Sequence, residues 1–164
     1  MNIIDVQPII ETIKRIIDIL VNNFPELATS NGLLKKGGYV SIFSIGTKRL
    51  EHSCQIGTCV PQEKWTAYSF NSEEKGTRLL ASHEYLGHMT SHESRNPENN
   101  EWGGAIVADA FILSFSGLPE QADEAVMLIV AFELGLLSII DASDIARSNN
   151  NEIFFALESH LYGE

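Results

Sequence analysis

The feature that most constrains the fold is the longest apolar run of the chain, AVMLIVAFELGLLSII, which occupies residues 125–140. The run contains Glu133 and is shorter than the roughly 18 apolar residues that a membrane-spanning helix requires. Pro119 opens the helix that leads into this run, and Glu120, Asp123 and Glu124 lie in its first turns. Negative charge there suits the helix dipole and disfavours binding of an anion. The run therefore predicts a buried helix.

Charge is distributed unevenly along the 164 residues. Residues 1–97 contain ten acidic and ten basic side chains, whereas residues 98–164 contain twelve acidic side chains and only Arg147, which gives a net charge of −11. A surface of this kind repels phosphate backbones and anionic lipids, so we expect neither nucleic acid nor a membrane as a partner. A neutral, cationic or locally shielded ligand fits the charge better.

The start of the chain, MNIIDVQPIIETIKRI, carries two acidic residues and no basic segment followed by a small-residue cleavage site. It is not typical of a signal peptide, and we expect a cytoplasmic protein. The two cysteines, Cys54 and Cys59, have a C-x4-C spacing, which is neither the redox C-x-x-C spacing nor half of a four-ligand zinc set. We predict two reduced thiols.

The order of predicted elements indicates an α+β fold with an antiparallel sheet covered by helices. An amphipathic helix follows Pro8, and a hairpin combines YVSIFSI with a segment in which Leu50, His52, Cys54 and Ile56 share one side. A helix carries Trp65, Tyr68 and Phe70, and Gly76 is expected to weaken its far end, so that a second short helix can follow. The sequence GGAIVADAFILSFSG predicts a second hairpin with a turn around Asp109.

The predicted elements divide into one domain over residues 1–140 and a C-terminal extension over residues 141–164. The extension contains a predicted helix over residues 152–161, preceded by three asparagines that favour a turn. We expect the extension to pack on the domain.

The segment HEYLGHMTSH, residues 83–92, holds three of the five histidines. His83 and His88 are five residues apart, which places them about 140° apart around a helix, so they cannot face one ion as the histidines of a zincin helix do. His88 and His92 have the required spacing of four but no glutamate between them. They are the candidate ligands for a divalent metal, and the alternative is a solvated loop.

Two stretches, LEHSCQIGTCVPQEKW and WGGAIVADAFILSFSGLPEQADEAV, resemble in order and spacing the signature segments of the HbpS/GlcG-like heme-binding family, and most closely its short HbpS-like branch. The likeness covers about residues 5–138. The matching positions are His52, Gly57, Thr58, Pro61, Trp65, Gly103, Gly104, Ser116, Gly117, Leu118, Pro119 and Asp123. The resemblance implies a homo-oligomer and a profilin-like three-layer α/β/α sandwich with a five-stranded antiparallel sheet.

The chain departs from the family pattern at three places. Tyr68 and Ser69 stand near the usual Arg-Lys pair, Glu124 replaces the usual histidine after the aspartate, and the usual proline after Gly-Gly is missing. The first departure removes a basic anchor for a carboxylate or a heme propionate. The resemblance therefore does not transfer heme ligation to particular residues of this chain.

The strand pattern, the resemblance and the aromatic residues of the helix after Pro61 select seven candidate ligand contacts: His52, Trp65, Tyr68, Gly103, Gly104, Ser116 and Asp123. A neutral imidazole on an apolar face can ligate heme iron, and aromatic rings can stack on a flat ligand. Each residue also has a structural alternative. His52 can be a core histidine, and the two aromatic residues can pack on the sheet. The glycines can begin a strand tightly, Ser116 can shape the turn before the helix, and Asp123 can be a structural acid in the first helical turn. Ser116 has no base at a recognisable spacing and no nucleophile elbow, so we do not expect a catalytic serine.

Two functions are consistent with the sequence. The first is a small ligand-binding protein that holds heme or another flat cofactor between the two hairpins and catalyses no reaction. The second is a non-catalytic, homo-oligomeric interaction module in which the helix over residues 125–137 docks against its counterpart. A divalent-metal hydrolase built on the histidine segment is a third and weaker possibility.

Overall fold

A computed structural model describes residues 4–163 and contains five α-helices, six β-strands and short 3₁₀ turns over that range. The helices are α1 (Val6–Asn23), α2 (Trp65–Leu86), α3 (Glu120–Glu133), α4 (Ile139–Ser148) and α5 (Glu152–Tyr162). The strands are β1 (Thr29–Ser30), β2 (Leu33–Leu34), β3 (Lys36–Ser44), β4 (Arg49–Thr58), β5 (Ala105–Ala108) and β6 (Phe111–Ser116). The mixed α+β class and both predicted hairpins are confirmed.

The main sheet has four antiparallel strands in the order β4-β3-β6-β5, and β1 pairs only with β2. The expected five-stranded sheet is therefore wrong. Where a fifth strand would lie beside β5, the chain makes a single bridge between Thr90 and Ile106 and one hydrogen bond from the Val107 amide to the Met89 carbonyl. The chain then turns into a 3₁₀ helix at Ser91, whose hydroxyl accepts the Ala105 amide hydrogen bond, so the ladder stops after one residue.

Helices cover both faces of the sheet. Alternate residues of β3 point to opposite faces, and those on both faces are buried. Val40 and Ile42 belong to the large core formed with α1 and α3. Ser41 and Phe43 face α2: the Ser41 hydroxyl lies 2.7 Å from that of Ser72, and Phe43 belongs to a second, smaller apolar cluster. The α2 face and the α1/α3 face are the two separate environments in which a ligand site can form.

Helix α3 is surrounded by its own chain. Every residue from Ala122 to Ala131 is buried, and α3 packs against α1 and α5 as well as the sheet. The predicted helix over the apolar run is confirmed only in part, because α3 ends at Glu133 and Gly135 turns the chain with φ 72° before α4 begins. Residues 125–131 of the helix predicted to dock therefore offer no exposed apolar face to a second subunit, whereas residues 132–137 are only partly buried or exposed.

Helix α2 is one continuous helix of 22 residues, so the expectation that Gly76 weakens its end and that a second helix follows is wrong. Gly76 lies directly on the ring of Phe43, where a Cβ would come within 2.1 Å of a ring carbon. The contact between helix and sheet requires a glycine at this position. Its packing offsets the cost of about 1 kcal/mol that glycine imposes on a helix interior.

The segment after residue 140 contributes to the same core. Phe154 and Leu157 of α5 are fully buried in the cluster that also contains α1 and α3. Cys54 and Cys59 are free thiols, and burial raises the pKa of each. Over residues 4–163, no helix has both the length and the apolar character needed to cross a bilayer.

Candidate functional site

A polar cleft opens at the end of the sheet where β6 stops and α3 begins. Its volume is about 210 Å³, and its walls come from α2, from the loop before β5 and from the segment that joins β6 to α3. The lining residues are Ser30, Tyr68, Asn71, Lys75, Trp102, Ser116, Gly117, Leu118, Pro119, Glu120 and Asp123. We refer to this set as the polar cleft.

The polar cleft contains a buried ion pair between Lys75 of α2 and Asp123 of α3. Lys75 Nζ lies 3.0 Å from Asp123 Oδ2, and each side chain is only 3% exposed. Lys75 Nζ also donates a hydrogen bond of 2.8 Å to the Phe115 carbonyl, and Asp123 Oδ1 accepts one of 2.9 Å from the Leu118 amide. These bonds fix both charged groups against the end of β6.

Burial dominates the electrostatics of Asp123. Loss of solvent raises the pKa of its carboxyl from 3.8 to about 7, against the opposing attraction of Lys75 and the hydrogen bond from Leu118. A carboxyl with such a pKa can both accept and donate a proton near neutral pH. Perturbed groups of this kind concentrate at functional sites.

Gly104 lies directly against this ion pair. Its φ of 122° belongs to the region that favours glycine, and a Cβ would lie 2.7 Å from Lys75 Nζ and 3.0 Å from Asp123 Cβ. Two independent constraints, backbone conformation and close approach, therefore require glycine here. The neighbouring Gly103 donates its amide hydrogen to Glu120 Oε1 at 2.8 Å.

Glu120 joins the loop before β5 to the cleft. Its burial favours the neutral acid, but hydrogen bonds from Arg95 and Gly103, together with the charges of Arg95 and Lys75, outweigh that effect and lower its pKa. Arg95 Nε donates to Glu120 at 2.6 Å, and its guanidinium lies 5.4 Å from the Trp102 ring centroid. Glu120 is therefore a carboxylate anion paired with Arg95 at the rim of the cleft.

Arg78 holds the rest of this loop on α2. Its guanidinium donates to the carbonyl of Ser91 at 2.8 Å and to that of Trp102 at 2.6 Å, while Glu74 accepts from its Nε. The Trp102 indole donates to the side chain of Asn100. The rim of the cleft is therefore a hydrogen-bonded part of the fold.

Tyr68 lines the cleft with its ring while its hydroxyl is engaged elsewhere. The hydroxyl donates to the Val60 carbonyl at 2.9 Å and accepts from Lys35 Nζ at 3.1 Å. Lys35 also donates to Val60 at 2.7 Å. Lys35 is a second buried lysine, but the structure pairs it with neutral oxygens.

The structure brings five of the seven predicted ligand contacts to the cleft or its immediate wall, namely Tyr68, Gly103, Gly104, Ser116 and Asp123. Trp65 lies apart from them. It is half exposed, its ring centroid lies 6.5 Å from that of Tyr39 with the two planes tilted by 33°, and the two rings line a separate pocket.

His52 lies on the other face of the sheet. It pairs across the ladder with Ile42, which faces the α1/α3 core, whereas Lys75 and Tyr68 belong to α2. Cross-strand partners project to the same face, so the imidazole points away from α2, and His52 is not among the residues that line the polar cleft. Its Nε2 is buried and has no hydrogen-bond partner among residues 4–163. The ligand site expected between the two hairpins therefore does not bring His52 and Gly104 together.

The three histidines of residues 83–92 do not form a recognisable metal centre. His83 is in α2, and its Nδ1 lies 2.8 Å from the His88 carbonyl oxygen, while His88 Nε2 lies 3.8 Å from Glu93. His92 packs beside Gly103. Within the described part of the chain, no group of three or more His, Cys, Asp or Glu side chains is arranged to hold a metal ion.

Lys75 is not among the residues predicted from the sequence, although the chain carries a signal for it. The buried side of α2 contains Ser72, Lys75, Gly76 and Leu79, spaced as the inward face of a helix. A lysine on that face must find a buried partner, because an isolated ammonium is very costly to desolvate. The predicted cleft aspartate, Asp123, is that partner.

A second buried carboxylate follows at once in the sequence. Glu124 accepts hydrogen bonds from Asn149 Nδ2 at 2.6 Å and from Asn151 Nδ2 at 2.7 Å. Asn149 Nδ2 also donates to the Thr90 hydroxyl at 3.3 Å, and Asn151 to the Gln121 carbonyl. Burial raises the pKa of Glu124, while the two amide hydrogen bonds oppose the rise.

The polar cleft does not fit heme. Pockets for drug-sized ligands typically measure about 300–1,000 Å³, and this cleft has a volume of about 210 Å³. Its described lining contains no histidine, cysteine or methionine, and the hydroxyl of Tyr68, the remaining iron-ligating type, is bonded to Val60 and Lys35.

Comparison with known proteins adds no family assignment. No protein-family model, no curated protein and no solved structure matches this chain.

Proposed function

We propose that this protein is a small-molecule-binding domain whose ligand occupies the polar cleft and contacts Lys75 and Asp123. The observation that carries the proposal is the ion pair, buried to 3% exposure on both sides, at the wall of an open cleft. A buried ion pair is often no more stabilising than apolar side chains of similar size. Its position at a cleft therefore favours a role in recognition over a role in stability.

The charges around the cleft favour a small polar ligand without net charge. Lys75 is balanced by Asp123, and Glu120 is balanced by Arg95. An added anion or cation would disturb a site already neutralised internally. The remaining wall offers hydroxyl, amide and aromatic groups from Ser30, Ser116, Asn71 and Trp102, which suit hydroxyl and amide groups of a ligand.

The proposal includes the HbpS/GlcG-like resemblance and the profilin-like arrangement, with a four-stranded sheet in place of five strands. Five of the positions that match the family pattern line the cleft, namely Ser116, Gly117, Leu118, Pro119 and Asp123. We infer a cytoplasmic location from the sequence alone. A flat cofactor of heme size is left out of the proposal because the cleft is too small for it.

Tryptophan fluorescence tests the proposal, because Trp102 lines the cleft and Trp65 does not. In a Trp65→Phe background, glycerol, glycolamide, serine and dihydroxyacetone are titrated to millimolar concentrations. We expect at least one compound to change Trp102 emission saturably, and Asp123→Asn to weaken that change, with Glu98→Gln on the loop as the matched control. The absence of any saturable change with all four compounds would contradict the proposal.

A second function, self-association through α2, is favoured by exposed apolar side chains. Phe70 is 64% exposed, Tyr85 80% and Leu86 71%, all on this helix. A second copy of the chain is the partner we propose for this surface. Light scattering of the wild type and of a Phe70→Ser/Tyr85→Ser variant tests it: we expect an oligomer that the two substitutions dissociate, and a monomeric wild type would end this proposal.

A further inference from the structure

We propose that Lys75 forms a Schiff base with a short hydroxyaldehyde or hydroxyketone bound in the polar cleft, with Asp123 moving the proton. This inference rests on the proposed function, because it requires the same cleft to admit a ligand. It adds a covalent bond and names the ligand class.

The geometry leaves one position on the Lys75 amine for a reaction. A lysine amine in its charged form has three donors, of which one points to the Phe115 carbonyl and one to Asp123. Gly104 packs so closely against Nζ that a Cβ would be only 2.7 Å away, and Lys75 itself lines the polar cleft. The amine is therefore held in a fixed position with one side that no backbone or side-chain acceptor occupies in the described structure.

Asp123 supplies the proton transfers that imine formation requires. Lys75 first gives a proton to the Asp123 carboxylate, and the neutral amine attacks the carbonyl carbon of the ligand. After proton transfer from nitrogen to the new oxygen, the protonated Asp123 gives its proton to the resulting hydroxyl, which leaves as water. The products are a protonated imine, water and the Asp123 carboxylate, so charge and atoms balance and no redox partner is needed.

The rest of the cleft selects among carbonyl compounds. Its volume of about 210 Å³ restricts the ligand to a short chain. Ser30, Ser116 and Asn71 present hydroxyl and amide groups that match hydroxyl groups on the carbons next to the carbonyl. A short carbonyl compound without hydroxyl groups would leave these groups without partners.

Lys35 provides an internal comparison. It is also nearly buried, but it donates to the Val60 carbonyl and the Tyr68 hydroxyl, and no carboxylate lies within 4 Å of it among the described residues. Burial alone would make both lysines equally reactive. The proposal requires Lys75 to react and Lys35 not to react.

Reductive trapping with glycolaldehyde tests the inference. The folded full-length chain is incubated briefly with glycolaldehyde and cyanoborohydride, digested, and mapped by mass spectrometry for a reduced hydroxyethyl group on each of the six lysines. We expect Lys75 to be modified at least about tenfold faster than any other lysine, because positioning raises the effective concentration of the bound carbonyl. Asp123→Asn is expected to slow this modification by about 100-fold, the loss typical of a removed general acid.

The wild-type map decides the question even when a variant fails to fold. Modification spread over exposed lysines such as Lys48 and Lys64, with Lys75 no faster than Lys35, would overturn the inference. The Trp102 titration separates the two proposals: saturable binding of dihydroxyacetone without a Lys75 adduct contradicts the Schiff base and leaves the binding function standing. Acetaldehyde serves as the control carbonyl and is expected to modify Lys75 more slowly than glycolaldehyde.

Discussion

Asp123 and Glu124 are consecutive residues at the start of α3, and both are almost fully buried, with exposures of 2% and 3%. Their partners differ in kind. Asp123 faces a lysine at the wall of a cleft, whereas Glu124 faces two asparagine amides inside the fold. Burial alone therefore does not identify a functional carboxylate. The partner and the access to a cleft distinguish Asp123, the proposed binding residue, from Glu124.

The Glu124 group connects three parts of the chain that are distant in sequence. Thr90 belongs to the segment that bridges β5, Glu124 to α3, and Asn149 and Asn151 to the turn between α4 and α5. Asn151 also caps α5, because its Oδ1 accepts from the Phe154 amide. We infer that Glu124 fixes the C-terminal helices on the rest of the fold.

The largest expected effect is that of Lys75→Ala at pH 8. Removing one partner of a buried pair leaves an uncompensated carboxylate, which typically costs about 3–5 kcal/mol of unfolding free energy. Urea denaturation measures the loss. Lys75→Met/Asp123→Leu is expected to recover most of it, since both charges are then removed. A single-variant loss as small as that of an exposed lysine would contradict the assigned pairing.

Glu124→Gln is expected to cost less, about 1–3 kcal/mol. The glutamate offers two acceptor oxygens to two amide donors, whereas glutamine offers one acceptor and one donor, so one asparagine loses its partner. Urea denaturation measures this loss as well, with Glu98→Gln as the exposed control. Ligand binding to the cleft should be unchanged, and a binding defect as large as that of Asp123→Asn would remove the distinction between the two carboxylates.

The pH dependence of stability sharpens the comparison further. The pKa of Asp123 is raised from 3.8 to about 7 in the folded state, so the folded protein binds this proton more tightly than the unfolded chain. The resulting stability is complete below about pH 4 and is lost as pH rises through 7. Urea titrations from pH 4 to pH 8 should show a smaller decline for Asp123→Asn than for the wild type. Parallel curves would contradict the raised pKa.

The smallest expected effect is that of Arg147→Ala. Arg147 pairs with Asp144 on the surface, where the side chains are 67% and 63% exposed. Exposed pairs of this type typically contribute about 0–1 kcal/mol. Thermal denaturation should show little change in Tm, and that result sets the baseline against which the two buried carboxylates are judged.

The sequence predicted those parts of the fold whose side-chain pattern is local. The alternating residues of β4, the turn at Asp109 and the periodicity of α1 each indicate one structure without knowledge of neighbours. The absence of a fifth strand depends instead on a non-local contact, because the Ser91 hydroxyl accepts a hydrogen bond from the Ala105 amide, 14 residues later in the chain. The sequence also did not predict that the apolar run is divided at Gly135. Apolar residues continue past this turn, so the pattern alone indicates one helix.

The residues of the candidate site could be predicted where they belong to the two motifs that resemble the family. They could not be predicted where a distant part of the chain supplies the partner side chain. Asp123, Ser116 and Gly104 were selected by motif, and all three lie at the cleft or against its ion pair. Lys75 lies 48 residues before Asp123, and only the packing of α2 on the sheet brings the two together. His52 does not line the cleft, because alternation defines which residues share a face of the sheet but not which face a cleft adjoins.

The most direct test of the account is a map of backbone amide chemical shifts in the full-length protein, recorded with glycerol, glycolamide, serine and dihydroxyacetone. If the ion pair marks the ligand site, the shifts that saturate should concentrate at Asn71, Lys75, Gly104 and residues 116–123. Shifts that concentrate around His52, or no saturable shift at the cleft with any of the four compounds, would contradict the account.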